Sequence, residues 1–427
     1  MILANGKRWE SSMQSEILAG LEAKLNATLA GPPLEAETVV GAIDELGKRV
    51  AAGEFDERIA ALQIDGAEQY KELAVRLLRR DNLEFMLRTE LGADFRPDYL
   101  TEPPAGLQPV RVLTRPLGVL LHIAAGNADG LPAFSVAEGL VTGNINILKL
   151  PQADNGLSLE IFQALLELEP RLADYIYVFD TPSSDVGAIQ RMAELADGIV
   201  VWGGEAAVSA VRRFAHPGTK LIEWGHRLSF AYLSGAVPER ELTALAEHLV
   251  VTRQLLCSSC QVIYLDTERM EDLRAFCDRF WPILQRAAEA RRPRTLGAVA
   301  ELTLRTYTDR LEAILDGGTS KPWSSPLCSL IPKEDSALEL SPMFANVLVK
   351  RLPRQKILPV LRKAKPYLQT AGLACPPAER EALTQLLAQA GLTRITRPGS
   401  MSEGVPGEAH DGSYPLQRYI RIVNVEI

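Results

Sequence analysis

Two cysteines three positions apart are the residues of this sequence best placed to do chemistry. Cys257 and Cys260 lie in TRQLLCSSCQVIYLD, between a segment with helical periodicity and an apolar run typical of a strand. Proteins of the α/β class display reactive side chains in such connections. A thiol with a reference pKa of about 8.5 is only partly ionised at neutral pH, yet the ionised fraction is strongly nucleophilic. The position therefore suits Cys257 as a nucleophile.

Other interpretations of this pair stay open from the residues alone. Cys257 could be a small buried hydrophobic residue. The two cysteines could also form a C-x-x-C redox pair or half of a metal site. The sequence has no second C-x-x-C and no H-x3-H group to complete four metal ligands, so no metal is expected. A thioredoxin-like motif opens the first helix of a small domain, whereas this pair lies deep in a long chain.

The elements around the cysteines alternate in type. From about Glu10 to Leu91 apolar residues recur at three and four residue spacings, which predicts an N-terminal run of helices. The segment 96–116 contains five prolines and is expected to be an extended connection. From Leu117 to Trp202 the apolar runs GVLLHIA, INILKL, YIYVFD and GIVVW alternate with helical patterns. That alternation predicts βαβ units and a parallel sheet.

The alternation starts again beyond Glu223. The run LSFAYL, a helix over about 239–251, the run QVIYLD and a helix from Glu268 to about Ala290 predict a second α/β domain. The closing segment YIRIVNVEI predicts a final strand. A chain of 427 residues exceeds the usual size of one hydrophobic core, which also favours two large domains.

Composition limits the classes of partner. Hydrophobic residues make up 47% of the chain and charged residues 23%, as in an ordinary globular protein. A net charge of -8 gives no electrostatic footprint for nucleic acid. No apolar run approaches the roughly 18 to 20 residues that cross a bilayer, and the N-terminal segment lacks the apolar core of a secretory signal. Five cysteines without a regular framework are typical of reduced thiols, so we expect a cytoplasmic protein.

Five segments occur in one order along the chain: RPLGVLLHIAAGN, EGLVTGNINILKLP, IVVWGGEAAV, LIEWG and QLLCSSCQ. Together they resemble the aldehyde dehydrogenase superfamily, and most closely its acyl-CoA reductase branch, the fatty acid reductases of the bacterial bioluminescence (Lux) type. The segment RPGSMSEGVPGEAHDGSYPLQRYIRIV is also similar to that branch, so the resemblance extends over about 111–427. It implies an aldehyde-dehydrogenase-like α/β fold. The N-terminal helices and a Rossmann-type dinucleotide-binding domain would occupy 1–225, a catalytic thiol domain 226–395, and a tail with a closing strand 396–427.

The resemblance assigns catalytic roles to three residues. In such families a glutamate of an E-x-G motif lies some three dozen residues before the nucleophile, and Glu223 precedes Cys257 by 34 positions. In hydrolytic members the matching glutamate activates water, but Glu223 could instead relay a proton or accept a structural hydrogen bond. Asn127 matches the side chain that, with the Cys257 backbone N–H, donates to the oxyanion of the tetrahedral intermediate. A turn residue after a strand is the alternative for Asn127.

The resemblance also implies a nicotinamide cofactor. Lys149 matches a lysine near the adenosine ribose, at a strand end where α/β sheets bind ligands. NAD-preferring members carry a glutamate at the position of Gln152, and a neutral side chain would not repel a 2′-phosphate. NADPH is therefore expected, with NADH as the alternative. Gly203 and Gly204 precede a helix whose backbone N–H groups could face a pyrophosphate, although such a pair is also a common turn.

Phe344 resembles the family's phenylalanine near the nicotinamide ribose. Pro342 stands where the family has a glutamate, and a core residue is the alternative for Phe344. His410, in EAHDGSYPL, lies in the family-like tail and could approach the active site or occupy a surface turn. The closing C-terminal strand makes a homo-oligomer an expectation as well.

The function implied by the resemblance is reduction of an acyl-CoA, or another acyl thioester, to an aldehyde. Cys257 would take the acyl group as a thioester, and NADPH would supply the hydride. One alternative is an NAD(P)-dependent aldehyde dehydrogenase that oxidises an aldehyde to an acid, with Glu223 handling water. A different class of alternative is a C-x-x-C thiol redox protein, in which Cys260 matters as much as Cys257.

Overall fold

A computed structural model gives the fold of the chain. It describes residues 1–61, 67–93, 95, 98–124, 130–152, 156–292, 297, 299–300, 303–304, 307–308, 311 and 323–426. These residues divide into two compact units, unit 1 (1–225 and 405–427) and unit 2 (226–404). None of the helices within these ranges is long and apolar enough to span a membrane.

The strands are mostly short and apolar. In chain order they are β1 Ile2–Ala4, β2 Lys7–Trp9, β3 Asp98–Leu100, β4 Val110–Pro116, β5 Val119–Ile123, β6 Ile145–Lys149, β7 Ile176–Phe179, β8 Gly198–Trp202, β9 Lys220–Trp224, β10 Leu228–Leu233, β11 Cys260–Leu265, β12 Trp323–Ser324, β13 Ser329–Pro332, β14 Asn346–Arg351, β15 Leu368–Ala374, β16 Arg394–Thr396 and β17 Ile420–Glu426.

The helices alternate with these strands through most of the chain. They are α1 Gln14–Leu29, α2 Ala36–Ala51, α3 Asp56–Ala61, α4 Ala67–Leu78, α5 Arg80–Leu91, α6 Leu131–Val141, α7 Leu157–Leu168, α8 Val186–Glu194, α9 Glu205–Phe214, α10 Glu239–Thr252, α11 Met270–Ala290, α12 Ile357–Leu361, α13 Arg380–Ala390 and α14 Pro415–Arg418. Short 3-10 turns cover Ser11–Met13, Pro170–Asp174, Arg354–Lys356, Arg362–Ala364, Pro377–Glu379 and Pro398–Ser400.

Unit 1 is built on a sheet with the order β2-β1-β7-β6-β5-β8-β9. The strands from β7 to β9 are parallel, as the apolar runs predict. From β5 the chain proceeds through β6 to β7 on one side and then returns to β8 and β9 on the other. The strand order therefore reverses between β5 and β8, and ligands bind beyond the carboxyl ends of the strands at such a reversal.

Two features of unit 1 depart from the expectation of helices followed by a plain connection. The chain begins with the hairpin β1–β2, whose turn residues Asn5 and Gly6 have φ values of 52° and 71°. An Asn-Gly pair favours this left-handed turn, so the hairpin has a local cause. The proline-rich segment is extended, and it forms strands β3 and β4 of a separate sheet ordered β17-β4-β3.

Unit 2 has a sheet ordered β12-β13-β14-β11-β10-β15-β16, with every pair parallel except β12–β13. Each face of this sheet has its own apolar cluster. One includes Leu245 of α10 and Phe280 of α11, and the other includes Leu361 of α12 and Leu387 of α13. Both faces are thus covered, which explains why its strands are continuous apolar runs.

Candidate active site

Cys257 lies in a loop at the amino ends of the unit 2 strands. Helix α10 ends at Thr252, and Arg253 and Gln254 follow with φ values of 49° and 60°. Two consecutive left-handed residues other than glycine are costly, which is typical of functional loops. They turn the chain so that the Cys257 side chain is exposed before β11 begins at Cys260.

The two cysteines have opposite surroundings. Cys260 is completely buried, its Sγ contacts the carbonyl oxygen of Val262 at 3.3 Å, and burial raises the pKa of its thiol to about 12. A thiol with that pKa remains protonated at neutral pH, so Cys260 is not suited to be the attacking nucleophile. The description of a small buried hydrophobic residue fits Cys260, whereas Cys257 is the exposed thiol.

The atoms of Cys257 are held from two neighbouring strands. Gln369 of β15 donates from Nε2 to the Cys257 Sγ atom at 3.4 Å. Ser229 of β10 donates from Oγ to the Cys257 carbonyl oxygen at 2.8 Å, and its Oγ accepts from the Thr370 backbone N–H at 3.1 Å. Sequence reasoning missed Gln369, since 112 positions separate it from Cys257 and no spacing rule relates them.

Buried side chains fix the rest of the loop. Gln254 donates from Nε2 to the Cys260 carbonyl oxygen at 2.9 Å, and Gln261 donates to the Gln254 carbonyl oxygen at 2.9 Å. The Cys260 backbone N–H donates to Nε2 of His248 at 3.2 Å. That nitrogen must be unprotonated, and burial accordingly lowers the pKa of His248 to about 4. The imidazole is therefore a structural acceptor at neutral pH.

Phe344 is coupled to the same loop through its backbone. Its N–H donates to the Arg253 carbonyl oxygen at 2.9 Å, and its ring is 5% exposed. Phe344 and its neighbours Met343 and Ala345 all have positive φ values, of 51°, 68° and 62°. The strained segment 343–345 thus supports the segment that precedes Cys257. Contact of Phe344 with a cofactor stays a prediction.

In unit 1, Lys149 ends β6 at the carboxyl edge of the sheet. Its side chain is largely buried, Nζ donates to Ser183 Oγ at 3.0 Å, and desolvation lowers its pKa. Gln152 follows in an exposed turn. Asn127, the predicted oxyanion donor, lies outside the described residues. Lys149 thus places a cationic donor at the carboxyl edge of the sheet.

Gly203 and Gly204 lie between β8 and α9, next to the reversal of strand order. The Gly203 N–H donates to the Trp224 carbonyl oxygen at 3.2 Å, and α9 begins at Glu205. A Cβ on Gly204 would meet no atom of the described residues within 4 Å. A helix N-terminus favours an anion, although the Glu205 carboxylate in its first turn opposes one.

Glu223 is engaged in an ion pair within unit 1. Arg212 of α9 donates from Nε and Nη2 to the two carboxylate oxygens of Glu223, at 2.5 and 2.6 Å. The pair is partly exposed, and the carboxylate raises the pKa of Arg212. Both carboxylate oxygens of Glu223 are thus occupied by N–H donors of one guanidinium.

His410 packs on two tryptophans of unit 1. Its ring centroid lies 5.4 Å from that of Trp202 and 4.8 Å from that of Trp224, the residues that end β8 and β9. Trp202 is oriented in turn by its indole N–H, which donates to Ser135 Oγ at 3.0 Å. His410 is therefore in a turn, as one of the two expectations had it, and that turn is packed against the carboxyl edge of the sheet.

Comparison with solved structures defines the class of fold. Lactaldehyde dehydrogenase from Escherichia coli superposes with a TM-score of 0.71 at 14% identity, over 99% of this chain and 92% of that one. The chain therefore has an aldehyde-dehydrogenase-like α/β fold, which confirms the predicted fold class. Identity at this level shows the fold alone.

The family follows from sequence. The family model for acyl-CoA reductase (LuxC) matches residues 32–422, and the chain belongs to that family, as the resemblance predicts. The "Long-chain acyl-protein thioester reductase" of Aliivibrio fischeri is 22% identical over 74% of this chain and 65% of its own length. The protein of the same name from Vibrio harveyi is 24% identical over 83% of this chain and 73% of its own length. The chain thus spans only about two thirds of these relatives.

Proposed function

We propose that the chain is an acyl thioester reductase that forms an aldehyde through an S-acyl intermediate on Cys257, with acyl-CoA as substrate and NADPH as reductant. The observation that carries the proposal is the exposed Cys257 thiol, held at its Sγ atom by a neutral donor and at its carbonyl by Ser229. Membership of the acyl-CoA reductase family supports the substrate class. The need for a reduced thiol favours the cytoplasm.

The first half of the proposed reaction uses groups of this chain alone. The Cys257 thiolate attacks the acyl carbon of the substrate, a new C–S bond forms, and the bond to the CoA sulfur breaks as CoA leaves with the electron pair. The tetrahedral intermediate holds a negative oxygen, and a fixed donor aimed at it lowers the barrier by about 3 to 4 kcal/mol. We assign that role to the Asn127 side chain and the Cys257 backbone N–H.

The residues at the carboxyl edge of the unit 1 sheet fit a dinucleotide. Lys149 offers a buried cation, a Cβ on Gly204 would meet no atom of the described residues before α9, and the strand order reverses beside them. We propose that Lys149 and Gln152 hold the adenosine ribose, that Gly203 and Gly204 face the pyrophosphate, and that Phe344 contacts the nicotinamide ribose. When bound, the cofactor supplies the hydride that reduces the acyl carbon.

The Arg212–Glu223 pair favours reduction over the oxidative alternative. An aldehyde dehydrogenase that releases an acid needs a base to activate water, and the Glu223 carboxylate is already engaged by two N–H donors. A reductase needs no such water, so an engaged carboxylate is compatible with reduction. Glu223 is then a structural acceptor, and Cys257 is the nucleophile in either direction.

Intact mass measured after mixing with acyl-CoAs of several chain lengths, without reductant, tests the proposal. A mass gain equal to the acyl group, mapped to the Cys257 peptide, is the expected result. The same measurement with an acyl group on a carrier protein distinguishes acyl-CoA from a protein-borne donor. Turnover of acyl-CoA with NADPH, against aldehyde with NADP, then gives the direction. Acylation of another residue, or of none by any thioester, contradicts the proposal.

A further inference from the structure

Strand β15 presents a glutamine to the sulfur of Cys257. All seven residues of β15 are buried, and Gln369 is 5% exposed. A buried amide is unfavourable unless its polar atoms form hydrogen bonds. The contact from Gln369 Nε2 to the Cys257 Sγ atom, at 3.4 Å, is a use that fits the chemistry of a nucleophile.

The position of Gln369 is fixed independently of that contact. Its carbonyl oxygen accepts from the Thr393 backbone N–H at 3.0 Å and from Thr393 Oγ1 at 3.2 Å. The next residue, Thr370, donates its backbone N–H to Ser229, which in turn holds the Cys257 carbonyl. One stretch of β15 therefore fixes both the sulfur and the backbone of Cys257, so the geometry is preorganised.

The surroundings of the loop explain why such a donor is needed. Reactive cysteines commonly gain thiolate character from a helix N-terminus. Cys257 instead follows the end of α10 at Thr252, and the C-terminal end of a helix dipole is negative. Helix α10 therefore offers a thiolate no N-terminal stabilisation, and a side-chain donor such as Gln369 can supply it.

We propose that Gln369 is a catalytic residue that donates a hydrogen bond from Nε2 to the Cys257 sulfur and thereby stabilises the thiolate in both halves of the reaction. The inference rests on the proposed function, in which Cys257 is the acylated residue. In acyl transfer the donor increases the fraction of attacking thiolate. In aldehyde release it stabilises the Cys257 sulfur as this atom departs with the electron pair of its bond to carbon. The amide neither gains nor loses a proton in either step.

The pH dependence of Cys257 alkylation by iodoacetamide, followed by peptide mapping, tests the contact without any substrate. Gln369→Met keeps the side-chain length and removes the donor, so we expect the alkylation midpoint to rise by about one pH unit. Gln369→Glu places a carboxylate beside the sulfur, and we expect a larger rise. The rate of acyl transfer should fall about tenfold near neutral pH in Gln369→Met and recover at high pH.

Thr370→Val is the matched control. Thr370 is the next residue on β15, and its buried Oγ1 has no partner among the residues that the structure describes. The variant keeps the backbone N–H to Ser229, so the alkylation midpoint should not change. A merely structural role for Gln369 predicts loss of rate at every pH with an unchanged midpoint, and that result would overturn the proposal. Failure of the proposed function is distinct, because Cys257 would then not be acylated in the unaltered protein.

Discussion

The candidate residues of the two units lie at opposite ends of their parallel strands. In unit 1, Lys149 and Gly203 are at carboxyl ends, next to the N-terminus of α9. In unit 2, Cys257 precedes β11 and is held by residues near the starts of β10 and β15. A helix N-terminus supplies partial positive charge and backbone donors, which suit phosphates. Cys257 follows the C-terminal end of α10 instead, and its sulfur is contacted by the Gln369 side chain.

The largest expected effect separates the two cysteines of unit 2. Replacement Cys257→Ser should lower the rate of acyl thioester reduction by on the order of a thousandfold or more, because a hydroxyl is a far weaker nucleophile than a thiolate. The measurement is NADPH consumption with acyl-CoA. Cys260→Ala is the control, since Cys260 is buried with a pKa of about 12, and it should retain turnover while losing some thermal stability. Equal losses in both variants would favour the C-x-x-C redox alternative.

A variant at the carboxyl edge of unit 1 should change cofactor affinity and leave the reactivity of Cys257 unchanged. Lys149→Met removes the cation but keeps the side-chain length, and we expect NADPH affinity to fall roughly tenfold to a hundredfold. Fluorescence titration of NADPH measures the affinity, and iodoacetamide alkylation of Cys257 should be unchanged. Ser183→Ala, which removes only the hydroxyl that Lys149 contacts, is the milder control. Unaltered NADPH binding in Lys149→Met would remove this edge from the cofactor site.

Unit 1 also differs in its buried carboxyl groups. Desolvation raises the pKa of Glu138 to about 8 and that of Glu90 to about 7. In the folded protein each carboxyl group stays protonated to a higher pH than in the unfolded chain. Its contribution to folding stability is therefore fully present below the unfolded pKa and is lost as the pH rises through 7 to 8. Burial lowers the pKa of His122 to about 4, which acts in the opposite sense and removes stability as the pH falls towards that value.

Glu138→Gln should therefore stabilise the protein at alkaline pH by on the order of a few kcal/mol, with little effect at about pH 5. Tyr419 donates to Glu138 Oε2 at 3.1 Å, and the amide oxygen of glutamine can accept that bond. Thermal unfolding followed across this pH range is the measurement. A gain of the same size at every pH would show that the effect is one of packing and not of ionisation.

The features predicted from sequence are those with a local cause. The β-branched runs that became β5, β6, β7 and β8 are mostly apolar and almost entirely buried, and a strand buried on both faces needs little other signal. The Asn5–Gly6 turn also has a local signal, although its two strands are only three residues each and were not predicted. Cys257 could be predicted as the nucleophile because the segment that resembles the family, QLLCSSCQ, is contiguous in the chain.

The parts that escaped prediction depend on contacts between distant segments. In the sequence, Gln369 is a polar residue within a mostly apolar run. Its contact with Cys257 follows from the pairing of β10 with β15. The ion pair of Glu223 could not be predicted from sequence either, because Arg212 is on α9 and the carboxylate is on β9, so the contact depends on how these elements pack. Sequence reasoning left Glu223 as a base, a relay or a structural acceptor, and the contact with Arg212 supports the structural role that we propose.

The smallest expected effect concerns this ion pair, at the same edge of unit 1 as Lys149. Glu223→Gln removes the charge but keeps an acceptor for Arg212, so acyl thioester reduction should change by no more than about threefold. Hydrolysis of the S-acyl enzyme, measured by loss of the acyl mass without reductant, should stay slow. Arg212→Ala removes both donors from the carboxylate, and faster hydrolysis in this variant would show that the ion pair keeps Glu223 from activating water. A collapse of turnover in Glu223→Gln would instead make Glu223 part of the chemistry, and the contrast between a phosphate-binding edge in unit 1 and a reactive edge in unit 2 would no longer hold.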